Sequence, residues 1–181
     1  RKKGELTYEE KERLMLNCIH GVDLDERACD IAKLNLSLKL AERGKKLPQL
    51  HNNIKNGNSL IDDSKIAGDK AFNWDKEFSF KFDIVIGNPP YVDIKQLDPS
   101  IVKHLFERYK TVENRMNLYS TFVEKVFYLL RNYGSFGFII PNSILYNESY
   151  NKLRKLLLEN SSIKHIVKLQ DNIFGSAKVE T

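Results

Sequence analysis

The chain has 181 residues, 41% hydrophobic, 29% charged and 10% aromatic, which is enough apolar content for one folded domain and too much for a disordered or fibrous chain. Its longest apolar runs, Phe136 to Pro141 and Ile163 to Leu169, fall far short of the roughly 20 residues that cross a bilayer. The net charge of +5, from 29 Lys and Arg against 24 Asp and Glu, permits an anionic partner without requiring one.

A charged helix is expected over Tyr8 to Leu16, and Cys18 to Leu24 reads as a short buried strand ending in Asp23, Leu24 and Asp25. Cys18 and Cys29 lack the spacing of a zinc or redox site and read as core thiols. So little cysteine, with no secretory signal, suits a reducing cytoplasm. Asp25 can cap a helix in which Ile31, Leu34, Leu38 and Ala41 recur at helical spacing until Gly44 stops it. A short strand is expected near Ile54 to Leu60. The apolar strand Phe82 to Ile86 then ends at Gly87-Asn88-Pro89-Pro90-Tyr91.

Val92 to Met116 is polar and carries Lys95, Lys103, Arg108, Lys110 and Arg115, so it reads as a mobile or partner-contacting loop with one short helix. Leu118, Phe122, Val126 and Leu130 form a helical stripe, and Gly134 is expected to end that helix before a strand over Phe136 to Ile140. A helix marked by Tyr150, Leu153, Leu156 and Leu157, a strand over Ile163 to Leu169 and a last strand near Ala177 complete the chain. Strands alternating with helices predict an α/β fold: a mostly parallel sheet with helices on both faces and ligands beyond the carboxyl ends of its strands.

Two strand ends carry the chemistry. Asp23 closes the first strand, where an acid in such sheets accepts hydrogen bonds from the ribose of a nucleoside cofactor. An acid there is as often a helix cap, a role that Asp25 fills better. At Asn88-Pro89-Pro90-Tyr91, Pro90 holds Pro89 extended and both rings fix φ. The Asn88 side chain and the Pro89 carbonyl can then accept hydrogen bonds from one planar amino group, and Tyr91 offers a flat face for stacking. A plain proline turn whose Asn bonds its own backbone explains the same residues.

Strand then G-N-P-P-Y, preceded by G-V-D-L-D-E-R-A and followed by F-G-F-I-I-P-N-S-I-L, resembles the amino-group DNA methyltransferases. The likeness is strongest to adenine-specific enzymes of restriction-modification systems, including the type IIG fused enzymes, and extends from Ile19 to Thr181. The resemblance implies a Rossmann-like sheet that uses S-adenosyl-L-methionine, with Asp23 on the cofactor ribose and Leu24 against its adenine. Asn58, in Gly57-Asn58-Ser59-Leu60, stands where the family usually has an Asp that contacts the adenine amine. Asn88, Pro89, Pro90 and Tyr91 take the catalytic positions. Phe174, in Asp171-Asn172-Ile173-Phe174-Gly175, matches the aromatic that stacks on the flipped base opposite Tyr91. The implied partner is double-stranded DNA, with no metal and no membrane. The basic stretch after Tyr91 is the favoured DNA contact.

The same turn occurs in glutamine methyltransferases that act on release factors and in RNA adenine methyltransferases, so both remain alternatives. No G-x-G is present, and the ends at Arg1 and Thr181 read as cut. The expectation is a partial catalytic domain over 1–181 that lacks the first strand, the Gly-rich cofactor loop, the target-recognition domain and a nuclease domain. As it stands, such a piece would bind the cofactor weakly or not at all and act as a non-catalytic fragment.

Overall fold

Residues 6–113 and 116–169 are described by the computed structural model. The chain divides into two units, one up to Asn73 and one from Trp74 onward. Phe174, Arg115 and the strand expected near Ala177 lie outside the described residues.

In the first unit, Thr7 and Glu10 form a reciprocal capping box that starts helix α1 (Tyr8–Cys18). Its far end is tied down by Asn53, 4% exposed, whose side-chain nitrogen donates to the Leu16 carbonyl at 2.6 Å and the Ile19 carbonyl at 2.9 Å. Strand β1 (Gly21–Asp23) leads into α2 (Glu26–Leu38), which begins where the Asp25 carboxylate accepts from the Arg27 amide at 2.8 Å. The chain returns as β2 (Ile54–Asn56), parallel to β1, with Gly21 opposite Ile54 and Asp23 opposite Asn56. Cys29, Leu50, Ile54, Leu60, Ile61 and Phe72 are buried beneath this strand-helix-strand unit, and a one-turn helix, α3 (Ser64–Ala67), precedes Phe72. Gly57 is required where it stands, because a Cβ there would lie 2.6 Å from the Phe72 ring.

The second unit opens with α4 (Trp74–Glu77) and an aromatic cluster in which Trp74 and Phe78 meet Phe82 at 5.8 and 5.7 Å between centroids. Phe82 begins strand β3 (Phe82–Gly87), which pairs in parallel with β4 (Leu130–Phe138), Val85 opposite Phe136 and Gly87 opposite Phe138. Helices α5 (Pro99–Arg108), α6 (Tyr119–Leu129) and α7 (Asn151–Asn160) supply the rest. Leu105, Met116, Tyr119, Val123, Val126 and Leu153 are each 1% exposed or less, and Phe127 of α6 meets Phe136 of β4 at 5.9 Å. Among the described residues no helix is long and apolar enough to cross a membrane.

The α/β class and the parallel pairing match the expectation, and several local readings are corrected. Helix α1 runs on to Cys18, so the first strand is only Gly21–Asp23 and Cys18 is exposed; only Cys29 is a core thiol. Helix α2 stops at Leu38, and its stripe residues Ile31, Leu34 and Leu38 are more than half exposed. Gly134 does not end a helix. Helix α6 stops at Leu129, and Gly134 sits in a bulge where β4 advances from Leu130 to Ser135 while β3 advances only from Phe82 to Ile84. A Cβ on Gly134 would press on the Arg131 and Asp83 carbonyls at 3.0 and 3.1 Å, and Tyr133 beside it takes φ 63°.

The polar stretch after Tyr91 is structured, with the ten-residue helix α5 and buried Ile94, Leu105, Tyr109 and Val112. Apolar anchors spaced among its charges account for this. Ile163 to Leu169 forms no strand, with Ile166 and Val167 at 66% and 75% exposure: apolar residues without a pairing partner do not make a ladder.

Candidate active site

In the first unit, Asp23 and Leu24 leave the carboxyl end of β1. Asp23 is exposed, and its carboxylate Oδ1 accepts from the Asp25 amide at 2.8 Å, an Asx turn that presents the acid at the strand end. Its carbonyl accepts from the Gly57 amide at 2.9 Å and from the Asn56 side chain at 3.0 Å. Leu24 is 57% exposed, an apolar side chain held at the surface beside the acid. Asn58 follows β2 at the same end of the strand pair, so the fold brings together all three residues expected to hold a cofactor. The Asn58 side-chain oxygen accepts from the Leu60 amide at 3.0 Å, which occupies one of its two lone pairs and leaves one.

The three residues fit the adenosine end of S-adenosylmethionine. A carboxylate with one oxygen held by its own turn keeps the other for a diol, and an exposed leucine offers a flat apolar contact to a purine.

In the second unit, Gly87 leaves β3 with its carbonyl still in the ladder, accepting from the Ile139 amide at 3.2 Å. Pro89 is buried, Pro90 is exposed and Tyr91 is half-buried. The Tyr91 hydroxyl lies 3.0 Å from Asn88 Oδ1 and 2.9 Å from the Ile139 carbonyl, so its single proton is shared between the turn and the end of β4. Burial holds the Tyr91 phenol above its ordinary pKa. The Asn88 carboxamide oxygen is thereby oriented with one lone pair left to accept.

Behind Tyr91 stands Tyr119, fully buried, its ring perpendicular to that of Tyr91 at 6.3 Å. The Tyr119 hydroxyl lies 3.3 Å from Ser143 Oγ, and its ring packs at 5.3 Å on Tyr150, whose hydroxyl accepts from the Asn117 amide at 3.3 Å. Burial drives the Tyr119 phenol far above its ordinary pKa, so it remains a neutral hydroxyl. After the turn, the chain pairs with the segment before α6 through the Leu118 amide to the Val92 carbonyl at 2.8 Å and the Ile94 amide to the Met116 carbonyl at 3.1 Å.

Sequence reasoning nominated Asp23, Leu24, Asn58 and the Asn88–Tyr91 turn, and did not point to Tyr119, Ser143, Tyr150 or Asn56 as the residues that support them. Tyr119 directly follows Leu118 of the helical stripe and is off its register, so periodicity gave no signal. Asn56 has main-chain carbonyls as partners, which no sequence motif records.

An α/β chain with an acid at one strand end and an Asn-Pro-Pro-Tyr turn at another is built as a restriction-modification methylase. Residues 17–174 match the family model described as the Eco57I restriction-modification methylase, and the chain belongs to that family. It is 33% identical over 193 residues, 96% of this chain, to the type II restriction enzyme and methyltransferase RM.Eco57I of Escherichia coli. It is 31% identical over 154 residues, 84% of this chain, to the type II methyltransferase M.BstVI of Geobacillus stearothermophilus. Over 156 residues, 86% of this chain, it is 30% identical to the modification methylase CviBIII of Paramecium bursaria Chlorella virus NC1A. The matched regions span 18%, 26% and 33% of those three relatives.

Proposed function

We propose that this chain is part of the catalytic domain of a DNA adenine-N6 methyltransferase of a restriction-modification system, acting on an adenine rotated out of double-stranded DNA. The observation that carries this reading is the Asn88–Tyr91 turn. Its acceptor oxygen is oriented by the Tyr91 hydroxyl, and its aromatic ring is backed by a fully buried tyrosine. The relatives' descriptions as type II methyltransferases support it.

An adenine amino nitrogen is a weak nucleophile because its lone pair is delocalised into the ring, and inside a duplex it is out of reach. Rotating the base out costs a few kcal/mol. Stacking on Tyr91, and on Phe174 in the role that the family resemblance implies, would return about 1–3 kcal/mol per contact. Asn88 Oδ1 and the Pro89 carbonyl then accept the two amino hydrogens, raise electron density on nitrogen and aim it for in-line attack. Asp23 would hold the ribose of S-adenosylmethionine, Leu24 its purine and Asn58 the purine amine, and the cofactor would supply an electrophilic methyl group. The proposed substrate places the protein in the cytoplasm.

The test uses the protein at its full natural length with labelled S-adenosylmethionine and, separately, unmethylated duplex DNA, ribosomal RNA and a release factor. Label recovered as N6-methyladenine in DNA is expected, and Asn88→Ala should cut its rate by about 100-fold or more, as loss of a preorganised polar contact does. Label found only on RNA or on protein glutamine would replace this reading with the corresponding alternative.

A further inference from the structure

Resting on the reading of Asp23 as the ribose acid, we propose that Asn56 is the positioning residue of that site: its carboxamide locks the Asp23–Leu24 turn so that the Asp23 carboxylate faces a ribose diol. Asn56 is the last residue of β2 and stands opposite Asp23 in the parallel register. Its Nδ2 donates to the Asp23 carbonyl at 3.0 Å and to the Leu24 carbonyl at 2.9 Å, using both amide hydrogens on the two residues that matter. Its Oδ1 accepts from the Lys70 ammonium. Only this orientation is compatible with the surroundings, because a flipped amide would set its oxygen against two carbonyl oxygens and its NH2 against the ammonium.

The turn needs such a clamp. Asp23 and Leu24 are exposed, so packing does not hold them, and the backbone amides available to them are those of Gly57, on the Asp23 carbonyl at 2.9 Å, and Asp25, on the Asp23 carboxylate at 2.8 Å. Without Asn56 the Leu24 carbonyl loses the bond that ties it to β2, and the peptide between Leu24 and Asp25 is held only by the Asp25 amide's bond to the Asp23 carboxylate and by the start of α2. A shift of that peptide moves the Asp25 amide, which orients the Asp23 carboxylate. Lys70 acts one step further out. Its charge polarises the amide it touches and strengthens both donations from the opposite end. Neither residue touches the ligand; both act through Asp23.

The experiment measures, by NMR titration of the protein at its full natural length, the affinities of adenosine and of 2′,3′-dideoxyadenosine, which differ only in the diol. The unsubstituted chain is expected to favour adenosine by about tenfold, the scale of a charge-assisted hydrogen bond. Asn56→Ala removes both donors without setting an oxygen against the Asp23 and Leu24 carbonyls, and it should bring that preference close to one. Lys70→Met leaves the donors in place and should lower it only partly. A general loss of structure would weaken both nucleosides alike, so the ratio isolates positioning. An unchanged ratio in an Asn56 variant whose amide spectrum shows the native fold overturns the role of Asn56. A ratio of one in the unsubstituted chain overturns the ribose reading of Asp23 itself, and the positioning role falls with it.

Discussion

At the end of β1 the acid-bearing turn lies open to solvent, and its shape is kept by hydrogen bonds from Asn56, Gly57 and Asp25 to its carbonyls and carboxylate. At the end of β3 the proline turn is kept by the Tyr91 hydroxyl's bonds to Asn88 and Ile139 and, in addition, by aromatic packing, Tyr91 on Tyr119 and Tyr119 on Tyr150, with Tyr119 fully buried. Both turns hold an acceptor oxygen at the carboxyl end of a parallel strand. The difference follows from what each would hold. Under the proposed reading, a hydrophilic ribose would be matched by a surface clamp whose groups stay wet, whereas a flat base that leaves its stack would need an apolar floor rigid enough to stack against.

This contrast predicts unequal costs when each support is removed. Tyr119→Ala deletes a buried ring and should lower unfolding stability by about 3–5 kcal/mol in denaturant titration. If Asn56→Ala destabilised the chain as much, the turn at β1 would be part of the core and the contrast would fail. Glu124→Gln comes next. This carboxylate, 2% exposed, accepts from the Lys110 amide at 3.0 Å and the Thr111 amide at 2.8 Å, and a carboxamide can serve only one of them. The expected cost is about 1–3 kcal/mol by the same measurement.

The aromatic floor also predicts a pH dependence. The Tyr119 pKa is raised in the folded chain above its ordinary value of 10.0, so the unfolded chain ionises first. Its contribution to stability is therefore complete below about pH 10 and lost as the pH rises above it. Melting temperatures from pH 8 to 11 should fall more steeply for the natural chain than for Tyr119→Phe; parallel curves would contradict the assignment. The smallest effect is expected at the exposed Lys81–Asp75 pair, 2.8 Å apart, where Lys81→Met should cost less than about 1 kcal/mol.

Reading the chain in order recovered the helices α2, α6 and α7 and the strand before the proline turn, because each shows a period or an apolar run bounded by a breaker. Failures fell where local pattern and tertiary partner disagree. Ile163 to Leu169 has strand composition and no partner among the described residues, so it stays irregular. Gly134 has the composition of a helix stop, and its role comes from two carbonyls, Arg131 and Asp83, that leave no room for a Cβ. The stretch after Tyr91 was masked by its charges, although Leu105, Tyr109, Val112 and Met116 anchor it.

The sequence by itself determined the family and the identities of the groups proposed to do chemistry: Asp23–Leu24 and the Asn-Pro-Pro-Tyr turn are each a short contiguous segment, and their proposed roles depend on functional groups and fixed φ angles. Tertiary structure decided how those groups are held. Asn56 lies 33 residues from Asp23 along the chain, and the Tyr91 hydroxyl bonds a carbonyl 48 residues away at Ile139. Contacts between main-chain atoms and distant side chains depend on register and packing, which leave no local pattern to read.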